Sequence, residues 1–431
     1  MSDRPTGRQD SNPARGTRDL KPDAVARREA VVAELAAAYA RFGYRRIETP
    51  SIEDIDRLSW GEGGDNEKLI YRILRRGLDP EIAAGTNVSE LVDLGLRYDL
   101  TVPLTRFYAN NAGSLPTPFR AMQIGSVWRG ERPAKGRYRQ FTQCDIDILG
   151  EPTVLAESEL LEATLAAIDA IGIAPVRVRV NDRRLLSAIA RAAGVPGGAH
   201  KEFFVTLDKL DKVGWEGVRS ELSQRGYEPA VGEQCEWLLT MLQAAESSSE
   251  MLSRAADRLP DVEAGVLEGL ASTSTALDNL TLARGGSVAA GFTWTLDPTV
   301  VRGMGYYTGQ IFEVEHAGSA GSIAGGGRYD GLVGRTLGRE VPACGISIGF
   351  DRVVDMAAFA PPDLGVAVLH GDEPVDRLLA AARQLRAGGR SAALVLRRGQ
   401  MKRQLEELQA EGFSSFVVID GESVSKERLL S

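Results

Sequence analysis

Two apolar, strand-like runs, Ala121–Trp128 and Phe141–Leu149, flank a loop that carries Arg129, Arg132, Lys135, Arg137 and Arg139. Runs of this length around a Gly- and Pro-containing turn predict a β-hairpin. Positive charge so concentrated at a turn predicts an anion site, because phosphate is held by a local face and not by the average charge. The second strand carries the opposite sign, Asp145 and Asp147, within a few residues. A site that needs both signs side by side suggests a ligand with both a phosphate and an amine.

The rest of the chain supplies a setting for that hairpin. Its 431 residues suffice for two or three domains, and its composition, 43% apolar and 26% charged, is that of an ordinary globular protein. No apolar run approaches a membrane span, and the N-terminus has no apolar core of the signal-peptide kind, so a cytoplasmic location is expected. Residues 1–14 are polar and rich in Pro and Gly, and are expected to be disordered. Three scattered cysteines and three distant histidines argue against a disulfide framework and against a transition-metal site. The net charge of −8 argues against general nucleic-acid binding, although a local basic patch would overrule it.

Residues 24–42 place Val31, Val32, Leu35, Ala36 and Tyr39 on one helical face, with Gly43 as the stop and a short strand ending at Pro50. Residues 66–76 mix apolar and charged positions and could form a strand pair facing a cleft. A helix is expected over 151–171 and a strand over 176–180. From 182 to about 285 helical patterns dominate, which reads as a helical domain inserted between two halves of a sheet domain. Residues 286–360 return to Gly-punctuated strands. After the Pro361-Pro362 linker, strand and helix alternate in a small α/β domain over 364–431.

Three further segments carry candidate chemistry. No GxxxxGK[ST] loop occurs, so phosphate must be held by other means, and arginine, with a planar fork suited to phosphate, is the candidate. Val301-Arg302-Gly303-Met304-Gly305-Tyr306-Tyr307-Thr308-Gly309 joins an arginine to glycines that admit close backbone approach and to two tyrosines. That arginine could stabilise developing negative charge, but a Gly-rich hairpin with core tyrosines suits the segment equally well. Gly325-Gly326-Gly327-Arg328-Tyr329-Asp330-Gly331 lacks the strand–GxGxxG–helix setting of a dinucleotide loop. Finally, Gly349 and Arg352 fall where a strand runs into a helix. Glu131, inside the basic loop, could accept from an exocyclic amine or pair with a neighbouring arginine.

The order strand–Arg–loop–strand, RGxxYYTG, GGGRYDGL and GxxxGxDR resembles the class II aminoacyl-tRNA synthetase core, and specifically the histidyl-tRNA synthetase family. LRYDLTVP and GRYRQFTQCDIDILG resemble its substrate-binding strands, and LDKLDKVGWE, residues 207–216, resembles the insertion of its eukaryote-like branch. The resemblance runs from Arg15-Gly16-Thr17 into the C-terminal domain. It implies an α+β fold: a six-stranded antiparallel catalytic sheet with flanking helices, contributed by residues 15–181 and 286–360. It also implies an inserted helical domain at 182–285 and a short anticodon-binding-like domain at 364–431. A homodimer through the first helix and the strand ending at Pro50 is implied as well.

The implied activity is joining L-histidine to tRNA(His) with ATP, Mg2+ accompanying the ATP. By resemblance, Arg129 holds the α-phosphate, Glu131 the adenine amine, and Arg137 and Arg352 the γ-phosphate, with Gln140 among the ATP-binding residues. Asp99 and Thr101 take the α-ammonium of histidine, and Gln143 helps to fix the amino acid. Asp147 and Tyr307 bond the imidazole, and Tyr306 shapes its pocket. Arg302, with Arg129, faces the carboxylate and α-phosphate where charge develops. The chain departs from common family patterns at Gly305, where many members carry Asp, and at Ala134, where many bacterial members carry a Gln that reads the tRNA 5′ end. The competing readings are a non-charging paralogue such as the regulatory subunit of ATP phosphoribosyltransferase, which normally lacks the C-terminal domain and the arginine of RGxxYY, or a histidine-sensing module.

Overall fold

The structure, a computed structural model, describes residues 11–59, 69–78, 86–134, 136–286, 291–302, 305–360, 362–421 and 423–430. Expectations for residues 1–10, 66–68, Lys135, Gly303, Met304 and Pro361 therefore lie outside the described residues. The chain divides into two compact units, one of Met1–Asp19 with Val31–Ala358, the other of Leu20–Ala30 with Phe359–Ser431.

In chain order the first strands are β1 (Arg45–Arg46), β2 (Ile52–Asp54), β3 (Arg72–Leu74) and β4 (Val92–Leu96). The hairpin follows as β5 (Phe119–Trp128) and β6 (Gln140–Leu149), each a residue or two longer than the apolar runs suggest. Then come β7 (Val176–Asp182), β8 (Phe292–Leu296), β9 (Gln310–Glu315), β10 (Ala324–Arg328) and β11 (Ala343–Gly349). The second unit supplies β12 (Val366–His370), β13 (Ala392–Leu396), β14 (Ser415–Asp420), β15 (Ser423–Val424) and β16 (Arg428–Leu429).

The main sheet runs β1-β5-β6-β11-β10-β9-β7-β8. Its six inner strands pair antiparallel throughout, as expected, and each edge gains a parallel strand, β1 on β5 and β8 on β7. A parallel neighbour needs a crossover, and for β8 that crossover is the helical stretch between Arg183 and Ala283. The fold is α+β with a large antiparallel-rich sheet.

Strand alternation sorts β6 into two faces. Cys144, Ile146 and Ile148 join the core with Leu160, Leu161 and Leu165 of the helix Leu155–Ala170 and with Leu35 and Tyr39 of the first helix. Gln143, Asp145 and Asp147 point the other way. The helix Leu155–Ala170 is fastened to the sheet by a buried, two-pronged ion pair: Arg328, at the end of β10, donates from Nε and Nη2 to the two oxygens of Glu157, each at 2.7 Å. Arg328 also donates to the Glu151 and Thr153 carbonyls, at 3.2 and 2.9 Å. Arg328 of the GGGRYDG segment is thus an anchor on the core face, and Gly325 and Gly327 before it face the cleft.

In the second unit, β12 lies between β13 and β14, both parallel to it. Val366 and Val368 pack with Leu378 of the helix Val375–Ala387, while Ala367 and Leu369 pack with Leu408 of the helix Met401–Glu411. The short strands β15 and β16 then pair antiparallel with β14, beyond the three strands legible in the sequence. No described helix is long and apolar enough to cross a membrane.

Removing one member of a buried ion pair strands the other. Glu157→Gln is therefore expected to lower unfolding free energy by about 3 kcal/mol, read from urea denaturation.

Candidate active site

Register builds the cleft floor. On the face away from the core, one row across the sheet reads Gln123, Asp145, Ser347, Gly325, Glu313 and Arg179; the next reads Ala121, Asp147, Gly345, Gly327 and Ile311. Glycine stands at the centre of both. A Cβ at Gly345 would fall 1.9 Å from Asp147 Oδ1, and one at Gly325 would fall 2.2 Å from Arg302 Nη1. The missing side chains are the space that the functional groups occupy.

One end of the cleft is acidic. Asp147, 2% exposed, accepts from the Tyr329 hydroxyl at 2.6 Å through Oδ1, while Oδ2 has no partner among the described residues. Burial foremost pushes its carboxyl pKa up to about 7, with the Tyr329 bond opposing and Asp99 adding to the rise. Asp145 is raised too, by burial and then by Asp147, with Ser347 and Arg129 opposing. Gln143 donates to Ser347 Oγ at 3.0 Å and leaves Oε1 without a described partner. Asp99 accepts from the Val102 amide at 3.1 Å, at the start of the helix Thr101–Asn111. Such a pocket suits a ligand rich in N–H donors.

The other end is basic. Arg129 leaves β5 with Nε bonded to the Tyr98 carbonyl at 3.0 Å and its guanidinium 5.0 Å from the centroid of the Phe141 ring. Arg352, in the helix Phe350–Val354, donates to the Ser322 carbonyl. Its pKa is lowered, by burial first and then by the charges of Arg137, Arg302 and Arg129. Like charges close enough to depress one another call for an anion. Glu131, one of whose two readings was a neighbouring arginine, is ion-paired with Arg137 here, and Gln140 begins β6 opposite Trp128, exposed. The loop is braced from outside: Arg139 donates to the Glu131 carbonyl at 3.0 Å, and Asp351 joins Arg18 at 2.8 Å to the Thr142 amide at 2.7 Å.

Arg302 lies between the ends. Its Nη1 donates to Glu313 Oε1 at 2.9 Å, and Nε has no described partner. Its backbone φ is 56°, the one positive value among described residues other than glycine. Burial raises the Tyr307 pKa, with Arg302 foremost in opposing that rise, and the Tyr307 ring lies edge-on to that of Tyr306, centroids 4.9 Å apart.

Every site residue named from the sequence, apart from the exposed Gln140 and the Glu131–Arg137 pair at the loop, lines this cleft. Sequence reasoning assigned no role to Tyr329, Ser347 and Glu313. Glu313 had a visible signal, a charge in the middle of the apolar run of β9; Tyr329 and Ser347 acquire theirs only from cross-strand register.

An antiparallel sheet with arginines and carboxylates on its open face is the catalytic platform of class II aminoacyl-tRNA synthetases. Residues 16–353 match the family described as histidyl-tRNA synthetase. The histidine--tRNA ligase of Leifsonia xyli subsp. xyli is 45% identical over 420 residues, covering 95% of this chain and 96% of that protein. The crystal structure of histidyl-tRNA synthetase from Nostoc sp. PCC 7120 superposes with a TM-score of 0.73 at 26% identity, covering 96% of this chain and 92% of that one. A Bacillus halodurans structure titled as an ATP phosphoribosyltransferase regulatory subunit/histidyl-tRNA synthetase shares the fold, with a TM-score of 0.74 at 18% identity, covering 97% of this chain and 100% of that one. The chain belongs to the histidyl-tRNA synthetase family.

The raised Asp147 pKa has a stability consequence. An unfolded aspartate titrates near ~3.9, so between that value and about 7 the folded protein keeps a proton that the unfolded chain has lost. The favourable contribution is complete below the lower value and is lost as pH rises through the upper one. Asp147→Asn, which keeps an acceptor for Tyr329, is expected to raise Tm relative to the parent at about pH 8 and to give no gain near pH 4, read by thermal unfolding.

Proposed function

We infer that this chain is a histidine--tRNA ligase that forms histidyl-adenylate from L-histidine and ATP and passes the histidyl group to tRNA(His). The observation that carries the reading is the single cleft with buried carboxylates at one end, three arginines at the other and Arg302 between them. In this reading Asp147 and Tyr307 bond the imidazole, beside Tyr306. Asp99 and Thr101 receive the α-ammonium, and Gln143 helps to fix the amino acid. A side chain without ring nitrogens would leave these buried groups unpaired, which is the source of selectivity.

Arg129 takes the α-phosphate, Arg352 and Arg137 the γ-phosphate, Glu131 the adenine amine, and Gln140 flanks the nucleotide. For this, Arg137 must exchange its bond to Glu131 for phosphate. The donors at this end are guanidinium groups, which bind phosphate oxygens and not cations, so Mg2+ is expected to arrive on the ATP phosphates and share in offsetting their charge.

The histidine carboxylate attacks the α-phosphorus in line; the new acyl–phosphate bond forms as the bond to pyrophosphate breaks. Arg302 and Arg129 stabilise the charge that builds on the carboxylate and α-phosphoryl oxygens. Holding both reactants in one cleft supplies the rest. In the second half-reaction a terminal ribose hydroxyl of the tRNA attacks the activated carbonyl and AMP leaves.

Assembly as a homodimer is supported by apolar side chains left open on the three-stranded sheet of β2, β4 and β3: Ile52, Leu74 and Leu94 are all exposed. Contact with tRNA is supported by Arg397, Arg398, Lys402 and Arg403 at the start of the helix Met401–Glu411. Two of these side chains are engaged at present, Arg397 with Glu373 at 3.4 Å and Arg403 with Glu407 at 3.0 Å. The location proposed is the cytoplasm.

Histidine-dependent ATP–pyrophosphate exchange, followed by charging of tRNA(His), tests the function; exchange without charging would instead indicate a paralogue. Arg302→Ala is expected to slow exchange by roughly two to three orders of magnitude, the cost of a lost transition-state donor. Near-normal exchange would remove Arg302 from the role. Ile52→Asp should shift the protein toward monomer in sedimentation velocity.

A further inference from the structure

The sequence LDKLDK, 207–212, forms the junction between the helices His200–Leu207 and Leu210–Gln224 of the inserted segment. Its second aspartate reaches the sheet: Asp211 Oδ2 accepts from Arg179 Nη1 at 3.0 Å. The Asp211 side chain is 65% exposed, whereas that of Arg179 is 7% exposed. Arg179 stands on β7 beside Glu313 of β9, in the row that contains Gly325.

The Arg179 guanidinium is shared among several carboxylates. Its Nε donates to Asp297 at 2.8 Å, and its Nη1 donates to Glu315 at 2.9 Å as well as to Asp211. The same Nη1 lies 3.9 Å from Glu313 Oε2, while Oε1 of that carboxylate holds Arg302 at 2.9 Å. Glu313 is the one ion-pair partner of Arg302 among the described residues. One carboxylate therefore stands between two arginines, a buried one on the sheet and the one that faces the reacting atoms. Asp208, from the same junction, feels the same region: burial raises its carboxyl pKa, and Arg302 is the foremost charge opposing that rise.

We propose that Asp211, through Arg179 and Glu313, positions the Arg302 guanidinium, so that the inserted helical segment sets the rate of adenylate formation. With Asp211 in place, Arg179 Nη1 is occupied and Glu313 remains free to orient Arg302. Without it, Arg179 draws Glu313 toward itself, and Arg302 loses the contact that holds it over Gly325. Asp211, Arg179 and Glu313 are positioning residues; none needs to touch substrate. Because Asp211 is the exposed end of the relay, whatever moves the insert moves Arg302. This rests on the ligase reading above.

A double-mutant cycle on the full-length protein tests it, read as kcat and KM in histidine-dependent pyrophosphate exchange, with active sites titrated. Parent exchange is measured first and reports on the function itself; the variant ratios then report on the relay. Asp211→Asn is expected to lower kcat about three- to tenfold with little change in either KM, since an interaction felt only in the transition state is weakened. Asp211→Glu should restore most of the loss, a rescue that stands independently of any Glu313 variant. In a Glu313→Gln background, Asp211→Asn should add no more than about twofold, because residues in one network are not additive. Equal effects in both backgrounds, unchanged kcat in Asp211→Asn, or a loss of Tm with kcat per active site intact would each overturn the relay.

Discussion

A Cβ at Gly325 would fall 2.2 Å from Nη1 of Arg302, so any larger residue there would push the guanidinium off this floor. That steric fact organises the sheet. The neighbour on β9, Glu313, is the acid that holds the guanidinium, and the neighbour on β11, Ser347, is small and polar. Gly345 repeats the arrangement one row along, where Asp147 takes the vacated space. Bulk is excluded from the middle strands so that charge delivered by more distant segments can settle there. The core face needs the reverse, and Ile146, Ile148, Ile346 and Ile348 supply it.

The charges so delivered are kept apart. Burial foremost raises the Asp145 and Asp147 pKa values, with Asp147 adding to the rise at Asp145 and Asp99 adding at both, and at the other end burial, then the charges of Arg137, Arg302 and Arg129, lower that of Arg352. Each set alone is an electrostatic cost. A zwitterion with a nitrogen-bearing ring, placed beside a polyphosphate, would relieve both costs at once, which is the charge complement that the proposed reaction requires. Between the two sets stand Tyr306 and Tyr307, held neutral by burial that raises the pKa of both hydroxyls.

Much of this was legible in the residues. The hairpin was found to within two residues because alternation and a polar turn are local signals, and Asp145 and Asp147 share a face because they are two apart on a strand. The helical character of the segment after Asp182 and the alternation of the C-terminal unit were equally local. What could not be read was adjacency. Nothing near β6 announces that β11, nearly two hundred residues later, lies against it, so the bonds of Tyr329 to Asp147 and of Gln143 to Ser347 had no sequence signal. The edge strands β1 and β8 were missed as members of the sheet for the same reason. Motif resemblance brought Arg302 to the site, but its tie to Glu313 comes from register alone.

The backbone of Arg302, at φ 56°, sits in the left-handed region, which costs a residue bearing a Cβ roughly 1–2 kcal/mol. Glycine would adopt that conformation freely and would fold at least as readily, yet it would take the guanidinium away from the one floor shaped to receive it. Position 302 is therefore a place where a drift toward an easier fold and a drift toward a silent protein are the same drift. On the ligase reading proposed above, a sequence that has only to fold is free to lose this arginine.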